Sequence, residues 1–250
     1  MNVPSTRRGR HGFSLVELMV AIVLSMFLVG AMLLMYLSAQ RGYRDQDALV
    51  NLQETQRLAV SMLAAVLSHA GYSSPDHADH AASVLPSKTV NMPGLTGWAY
   101  ATGEFIHGVD QVSGPDNSSD AISVRYQTSG SDGIMDCSGR SYDAASSALL
   151  VNTFWISVQG ELLCAVGGDA AVPLASGIAR MTVTYGVDVD HDGSVDTYLT
   201  AARVDAAHLW LRVYSVRIAL WPLDNTPGGP SASSAWPHPI VHNVVLENQS

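Results

Sequence analysis

The densest group of potential ligands in the chain is Asp188-Val189-Asp190-His191-Asp192-Gly193-Ser194-Val195-Asp196. Carboxylates at alternate positions, a glycine for a sharp turn and then another acid make an oxygen-rich set that suits a hard cation such as calcium. The spacing matches the opening of an EF-hand loop, with Asp188, Asp190 and Asp192 as side-chain ligands and Ser194 acting through its carbonyl. It departs at the far end. Leu199 stands where that loop needs a bidentate glutamate, which leaves Asp196 as the substitute. The flanks alternate like strands, not helices. The competing reading is a solvated turn in which Asp and Gly serve backbone geometry alone. No cofactor other than calcium is indicated.

A second feature is a single carboxylate in the wrong solvent. Glu17 stands immediately before Leu18–Leu37, a run of 20 residues without a charge. As a helix this run spans about 30 Å, the thickness of a bilayer's hydrocarbon core. Phe13, Leu15 and Val16 extend the apolar character on the other side of Glu17. A carboxylate at that depth costs several kcal/mol unless it is paired or reaches an interface. Arg7, Arg8 and Arg10 precede the run, so the start stays cytoplasmic and the rest crosses. A plain anchor is one alternative. A secretory signal cut before Gln40 is another, although the apolar run exceeds the usual ~7–15 residues.

The chain has two cysteines, Cys137 and Cys164, too few for a disulfide framework. On the far side of a membrane they face an oxidising compartment, where a bridge stabilises by roughly 3 kcal/mol. Two separate buried thiols are the alternative. His77, Asp79 and His80 fall in a Ser/Pro-rich stretch and read as solvated side chains. No phosphate-binding loop, nucleophile elbow or His-Glu-x-x-His helix is present, so nothing points to an enzyme.

These residues need elements to hold them. The 250 residues are 47% apolar and 14% charged, which excludes a disordered chain. The net charge is −9, with 13 basic against 22 acidic residues, and three of the basic ones crowd into the first ten positions. The body is acidic, which argues against a nucleic-acid partner held by a basic face. Leu49, Leu52, Ala59, Met62, Leu63 and Val66 recur at three- and four-residue steps. The helix beginning near Ser14 is therefore expected to continue to about His69, with Gly30 and Gly42 as candidate bends and Gly71 and Pro75 as the stop. Residues 72–120 read as loop with short ordered pieces. Strand patterns follow at 121–126, 152–158, 161–165, 179–185, 209–220 and 240–246, with a turn at Gln159-Gly160 and a Pro/Gly/Ser loop over 224–239. A long helix followed by a run of strands indicates an α+β fold with an antiparallel sheet laid on the outer half of the helix.

Gly12-Phe13-Ser14-Leu15-Val16-Glu17, after a short basic leader and before a long apolar helix, closely resembles the N-terminus of type IV pilins, the class III signal of prepilins and pseudopilins. The resemblance implies a pilin-like fold. It implies a leader over 1–12 cleaved between Gly12 and Phe13, N-methylation of Phe13, and Glu17 as the assembly residue. It further implies a helix over 13–71 with 18–39 in the membrane, and a periplasmic β-rich domain over 72–250. The order DAISVRYQ, DCSG, ELLCAV, YGVDVDHDGSVDTY and WLRVYSVRIAL is similar to PilW-type minor pilins. That similarity implies a non-enzymatic subunit that initiates or tips a pilus serving attachment, twitching motility or DNA uptake. Its partners would be the prepilin peptidase, the inner-membrane assembly platform and other minor and major pilins. It would reside in the inner membrane and then in the fibre. A minor pseudopilin of type II secretion, and a tip adhesin or DNA-binding pilin with a basic strip of Arg203, Arg212 and Arg217, are the rival readings.

Overall fold

The computed structural model of the chain describes residues 14–73, 85–92, 95–129, 132–142, 148–223 and 239–246. It divides into two compact units, residues 1–51 and 52–250. Helix α1 (Leu15–Ser68) runs unbroken through both Gly30 and Gly42, so neither glycine interrupts it. It stops where expected. Gly71 adopts φ +79°, the left-handed geometry that ends helices, and its N–H donates to the Arg125 carbonyl instead of continuing the helix.

In the second unit the helix owes its place to burial. Ala59, Leu63 and Leu67, four residues apart, are completely buried, with Val60, Val66 and Ala70 beside them. They join one apolar core with the inward residues of two antiparallel sheets. The first sheet has the order β3 (Ile106–Ser113), β4 (Ser119–Thr128), β5 (Ala148–Ile156), β6 (Glu161–Val166), β7 (Val172–Ser176). The second runs β11 (Ile240–Val245), β10 (Val213–Pro222), β8 (Ile178–Val187), β9 (Thr197–Leu199). A separate hairpin, β1 (Lys88–Met92) with β2 (Leu95–Tyr100), contributes Val90 and Tyr100 to a small cluster with Val151 of β5. Between β9 and β10 lie a short helix, α2 (Ala201–Ala206), and a 3-10 turn (Trp210–Arg212).

Three expectations are corrected here. Among the described residues of the stretch 72–120, strands β1, β2 and β3 take a larger share than the short ordered pieces expected. The strand expected over 209–220 starts at Val213, because Trp210 turns inward to pack its indole against His107 and Tyr185, with centroids 4.0 and 5.0 Å away. And the single sheet is two sheets plus a hairpin. The two sheets are stitched by side chains at the start of β4. The Ser119 hydroxyl accepts from the Met181 N–H (2.9 Å), and the Asp120 carboxylate accepts from the Val183 N–H (2.8 Å).

Arg125, in the middle of β4, is fully buried without an ion pair among the described residues. Its guanidinium donates to the carbonyls of Pro86 (2.6 Å), Ala101 (2.6 Å) and Glu104, and lies 4.5 Å over the Tyr100 ring. Carbonyl oxygens thus replace water around the cation, and in doing so they fix the segment from 85 to 104 onto the sheet. Glu104 continues this chain of contacts: one oxygen accepts from the Ala101 N–H (2.7 Å) and the other meets His107 Nδ1 (2.8 Å). Gly108 on β3 is required because a Cβ there would collide with the Tyr185 hydroxyl.

Two buried groups give the fold opposing responses to acid. Burial pushes Asp120 up to about 6, helped by nearby Asp110, while the Val183 and Gln111 amides and Arg180 pull the other way. Burial lowers His107 below its ordinary value of 6.5, against the pull of Glu104 and Asp205. Asp120 therefore takes up a proton in the folded state first and adds stability as pH falls from about 6 towards 4. His107 does the reverse, because the unfolded chain protonates first once pH drops through 6.5. Relative to wild type, Asp120→Asn is expected to lose stability more steeply between pH 7 and 5 and His107→Gln less steeply. Denaturant unfolding of the full chain in detergent at the two pH values measures both. Parallel slopes for all three proteins would refute the assignment.

Candidate assembly helix, disulfide and acidic loop

In the first unit, residues Leu15–Gln40 form an apolar helical span of 26 residues, about 39 Å at 1.5 Å per residue, with none of it buried in the protein. Leu18, Phe27, Leu34 and Met35 are all more than half exposed. The sole hydroxyl near its middle is neutralised locally, since Ser25 donates to the Ile22 carbonyl (2.8 Å). Glu17 sits in the first turn and is the only charged residue of the span. Its position near the positive end of the helix dipole favours a carboxylate. Among the described residues it has no ion-pair partner. Gly12 and Phe13, the expected cleavage pair, lie outside the described residues, as do the leader and the His77–His80 stretch.

Cys137 and Cys164 form a disulfide, Cα to Cα 6.3 Å, joining the 132–142 loop to β6. The loop is shaped by Asp136. One of its oxygens accepts from the Ser138 and Arg140 N–H groups (2.8 and 3.0 Å), the other from the Tyr142 hydroxyl (2.8 Å) and Arg140 Nε (3.2 Å). Burial pushes its carboxyl up, but the bonds from Ser138, Arg140 and Tyr142 outweigh this and hold it below the ordinary range. Arg140 also reaches Asp169 (2.6 Å), and the Cys137 N–H donates to Asn152 of β5 (2.9 Å). The bridge therefore closes a loop already set by hydrogen bonds.

The acidic loop connects β8 to β9, two strands and not two helices. The carboxylates of Asp188, Asp190 and Asp196 converge, with oxygens all within 4.8 Å of one another. Asp188 is buried, and the other two are exposed. Asp192 is not among the converging carboxylates and instead accepts from the Ser194 N–H (2.8 Å). Asp188 accepts from the His191 and Gly193 amides (2.6 and 3.0 Å), and Asp196 from Val189 (2.7 Å). Burial pushes the Asp188 carboxyl up, yet the Gly193 and His191 amides more than offset it and keep it below the ordinary range. His191 at φ +69° and Gly193 at φ +85° supply the left-handed turns that aim these amides inward.

Arg212, which the sequence placed in a basic strip, holds this loop instead. Its carbonyl accepts from the Asp188 N–H (3.0 Å) and its guanidinium reaches the Val189 carbonyl (3.3 Å). Arg203 lies on α2 and Arg217 on β10. Asp110 of β3, which no local pattern marked, accepts from the Ala201 and Ala202 N–H groups (3.1 and 2.9 Å) and secures the segment after β9.

Two family models match the chain. Type IV pilus-assembly protein W matches residues 145–235, and the prokaryotic N-terminal methylation motif matches residues 7–33. The first covers β5 to β10 with Cys164 and the acidic loop, and the second covers Gly12, Phe13 and Glu17. No curated protein matches the chain.

Because Asp136 and Asn152 already position the loop, loss of the bridge should lower stability without changing the fold. Cys137→Ser with Cys164→Ser is expected to cost about 3 kcal/mol in denaturant unfolding. Near-ultraviolet circular dichroism should remain native at neutral pH. A double variant as stable as wild type would contradict this.

Proposed function

We propose that this chain, which matches models of type IV pilus-assembly protein W and of the N-terminal methylation motif, works as a non-enzymatic minor pilin in the initiation or tip complex of a type IV pilus. It waits in the inner membrane with residues 72–250 on the periplasmic side, is processed between Gly12 and Phe13, and then enters the assembly. The observation that carries this reading is Glu17, the lone charge in an uncharged helical span that the protein itself leaves wholly uncovered. Cleavage creates an amine on Phe13 about one turn from Glu17. A carboxylate among packed apolar helices gains a partner when a neighbour's Phe13 amine arrives in register. The pair therefore specifies position more than it adds stability, and lipid offers little hydrophobic competition to it.

The acidic loop is given a supporting role in the same proposal. Asp188, Asp190 and Asp196 supply hard oxygen ligands of matching sign for calcium, and weak binding would tie β8 to β9 more firmly. The Ser194 carbonyl is proposed as a further ligand, while Asp192 is engaged by Ser194 and lies outside the three-carboxylate group.

Two measurements test these readings. Mass determination of the mature N-terminus is expected to find methylated Phe13. Glu17→Ala should be processed normally but enter fibres at least about tenfold less, and Gly12→Leu should stay unprocessed. A native product that begins at Met1 or Gln40 would sink the reading. For the loop, millimolar calcium is expected to raise the melting temperature of wild type and not of Asp188→Asn, and an unchanged wild type removes the calcium role.

A further inference from the structure

The larger of the two acid-free sheets is the one built from β11, β10, β8 and β9. None of the strands β8, β9, β10 and β11 contains an Asp or Glu, in a protein that has 22 of them. One face of that sheet is core, carrying Val183, Tyr185, Val216 and Ile218. The opposite face is defined by the cross-strand pairs Trp221↔Arg180, Ala219↔Thr182 and Arg217↔Thr184, continued on β11 by Asn243 opposite Arg217 and Val241 opposite Ala219. Directly opposed residues share a face, so these side chains form one surface. Small residues dominate its middle, which lets another backbone come close.

Arg217 stands exposed in that surface. Its guanidinium lies 3.9 Å over the Tyr198 ring, its Nε donates to Asn243 (3.0 Å), and the Tyr198 hydroxyl is held 3.0 Å from Ser215. Every one of these contacts is uncharged, and among the described residues no carboxylate is within ion-pair reach of Arg217. Arg140, by contrast, has both Asp136 and Asp169. The Arg217 fork is thus oriented in advance yet electrically unanswered. At the margin, Val241 and Val245 are 53% and 67% exposed. An oriented arginine on an aromatic ring beside exposed valines is the composition of an interface centre.

We propose that this face docks the globular unit onto an acidic surface of a neighbouring polypeptide of the assembly, with Arg217 meeting a partner carboxylate. The proposal rests on the subunit reading above and adds the contact surface and the sign of its partner. Charge complementarity selects a protein over a nucleic acid. The Tyr198 face that would stack a base is covered by Arg217, and a chain of net charge −9 repels a polyanion. A few discrete carboxylates set against the prepared Arg217 guanidinium, with Arg180 over Trp221 further along the same face, fit the surface better.

The test places the photo-crosslinker p-benzoylphenylalanine at Val241 in the full chain, in cells that make fibres, and maps the adduct by peptide mass. The same probe at Val158, exposed in the β5–β6 turn, is the control. The expected adduct from position 241 joins an Asp/Glu-rich peptide of another pilus polypeptide, absent from position 158. Arg217→Glu should cut its yield at least about tenfold, Arg217→Gln several-fold, and Arg217→Lys by about twofold or less. Protease resistance of each variant, equal to wild type, shows that the sheet is intact. No adduct, an adduct indifferent to Arg217→Glu, or an adduct to nucleic acid or to this chain itself would overturn the proposal. The mature N-terminus is read from the same samples. If it remains methylated Phe13 while the adduct fails, the docking surface alone is wrong, whereas a different N-terminus removes the subunit reading on which it rests.

Discussion

The constraint on which the rest depends is that α1 carries apolar side chains into two different surroundings along one unbroken helix. Between residues 59 and 70 the inward side chains Val60, Leu63, Val66 and Leu67 lose nearly all exposure while Met62 stays exposed, and each of those four contributes about 1.5–3 kcal/mol by leaving water. Between Leu15 and Gln40 no side chain finds cover in the protein at all. That segment must find its apolar surroundings elsewhere, in lipid or among other helices. Neither offers water to a carboxylate, and the proposed reading therefore gives Glu17 a cation from a neighbouring subunit.

The globular unit solves a related problem with other means. It buries Arg125, Glu104 and Asp136, which engage backbone groups of irregular chain, and Asp120, which engages the amides of Val183 on β8 and Gln111 on β3. Buried charges cost stability unless their lone pairs and protons are all engaged, and the segments that engage them become fixed in return. Arg125 holds the carbonyls between Leu85 and Glu104, Asp136 shapes the loop that the disulfide closes, and Asp188 with Asp196 gathers the β8–β9 connection. Short strands thereby retain long connections. What would be loops in a purely apolar design become attached surfaces.

This division explains what was legible in the sequence. Helix α1 and strands β4, β5, β6, β8, β10 and β11 announce themselves because their apolar residues repeat at the period of the element. Strand β3 does not. Its Gly108 is needed only because Tyr185 packs against it, and its Asp110 serves α2, ninety-odd residues away in the chain. Arg125 reads as an ordinary strand residue until the carbonyls that receive it are brought from sequence positions far upstream. At the acidic loop the residue types were readable, but which carboxylates converge was not. That depends on the left-handed turns at His191 and Gly193, which send Asp192 to Ser194 and bring Asp196 back towards Asp188.

The distribution of charge carries the synthesis one step further. Only 14% of the residues are charged, and the acids lie in helices, turns, loops and the first sheet but in no strand of the second. A strand face without acids can be covered by another protein at small desolvation cost, since uncharged side chains lose little on leaving water. A guanidinium is different. Once covered, it costs several kcal/mol unless an anion answers it. Arg217, oriented on a face whose only other charge among the described residues is also an arginine, Arg180, therefore makes the surface cheap to cover with a partner of one sign and expensive with any other. Glu17 sets the same condition in the helix with the signs exchanged. Each leaves a charge that only a matching neighbour can neutralise, so recognition arises from an unfinished pair and not from a large buried area.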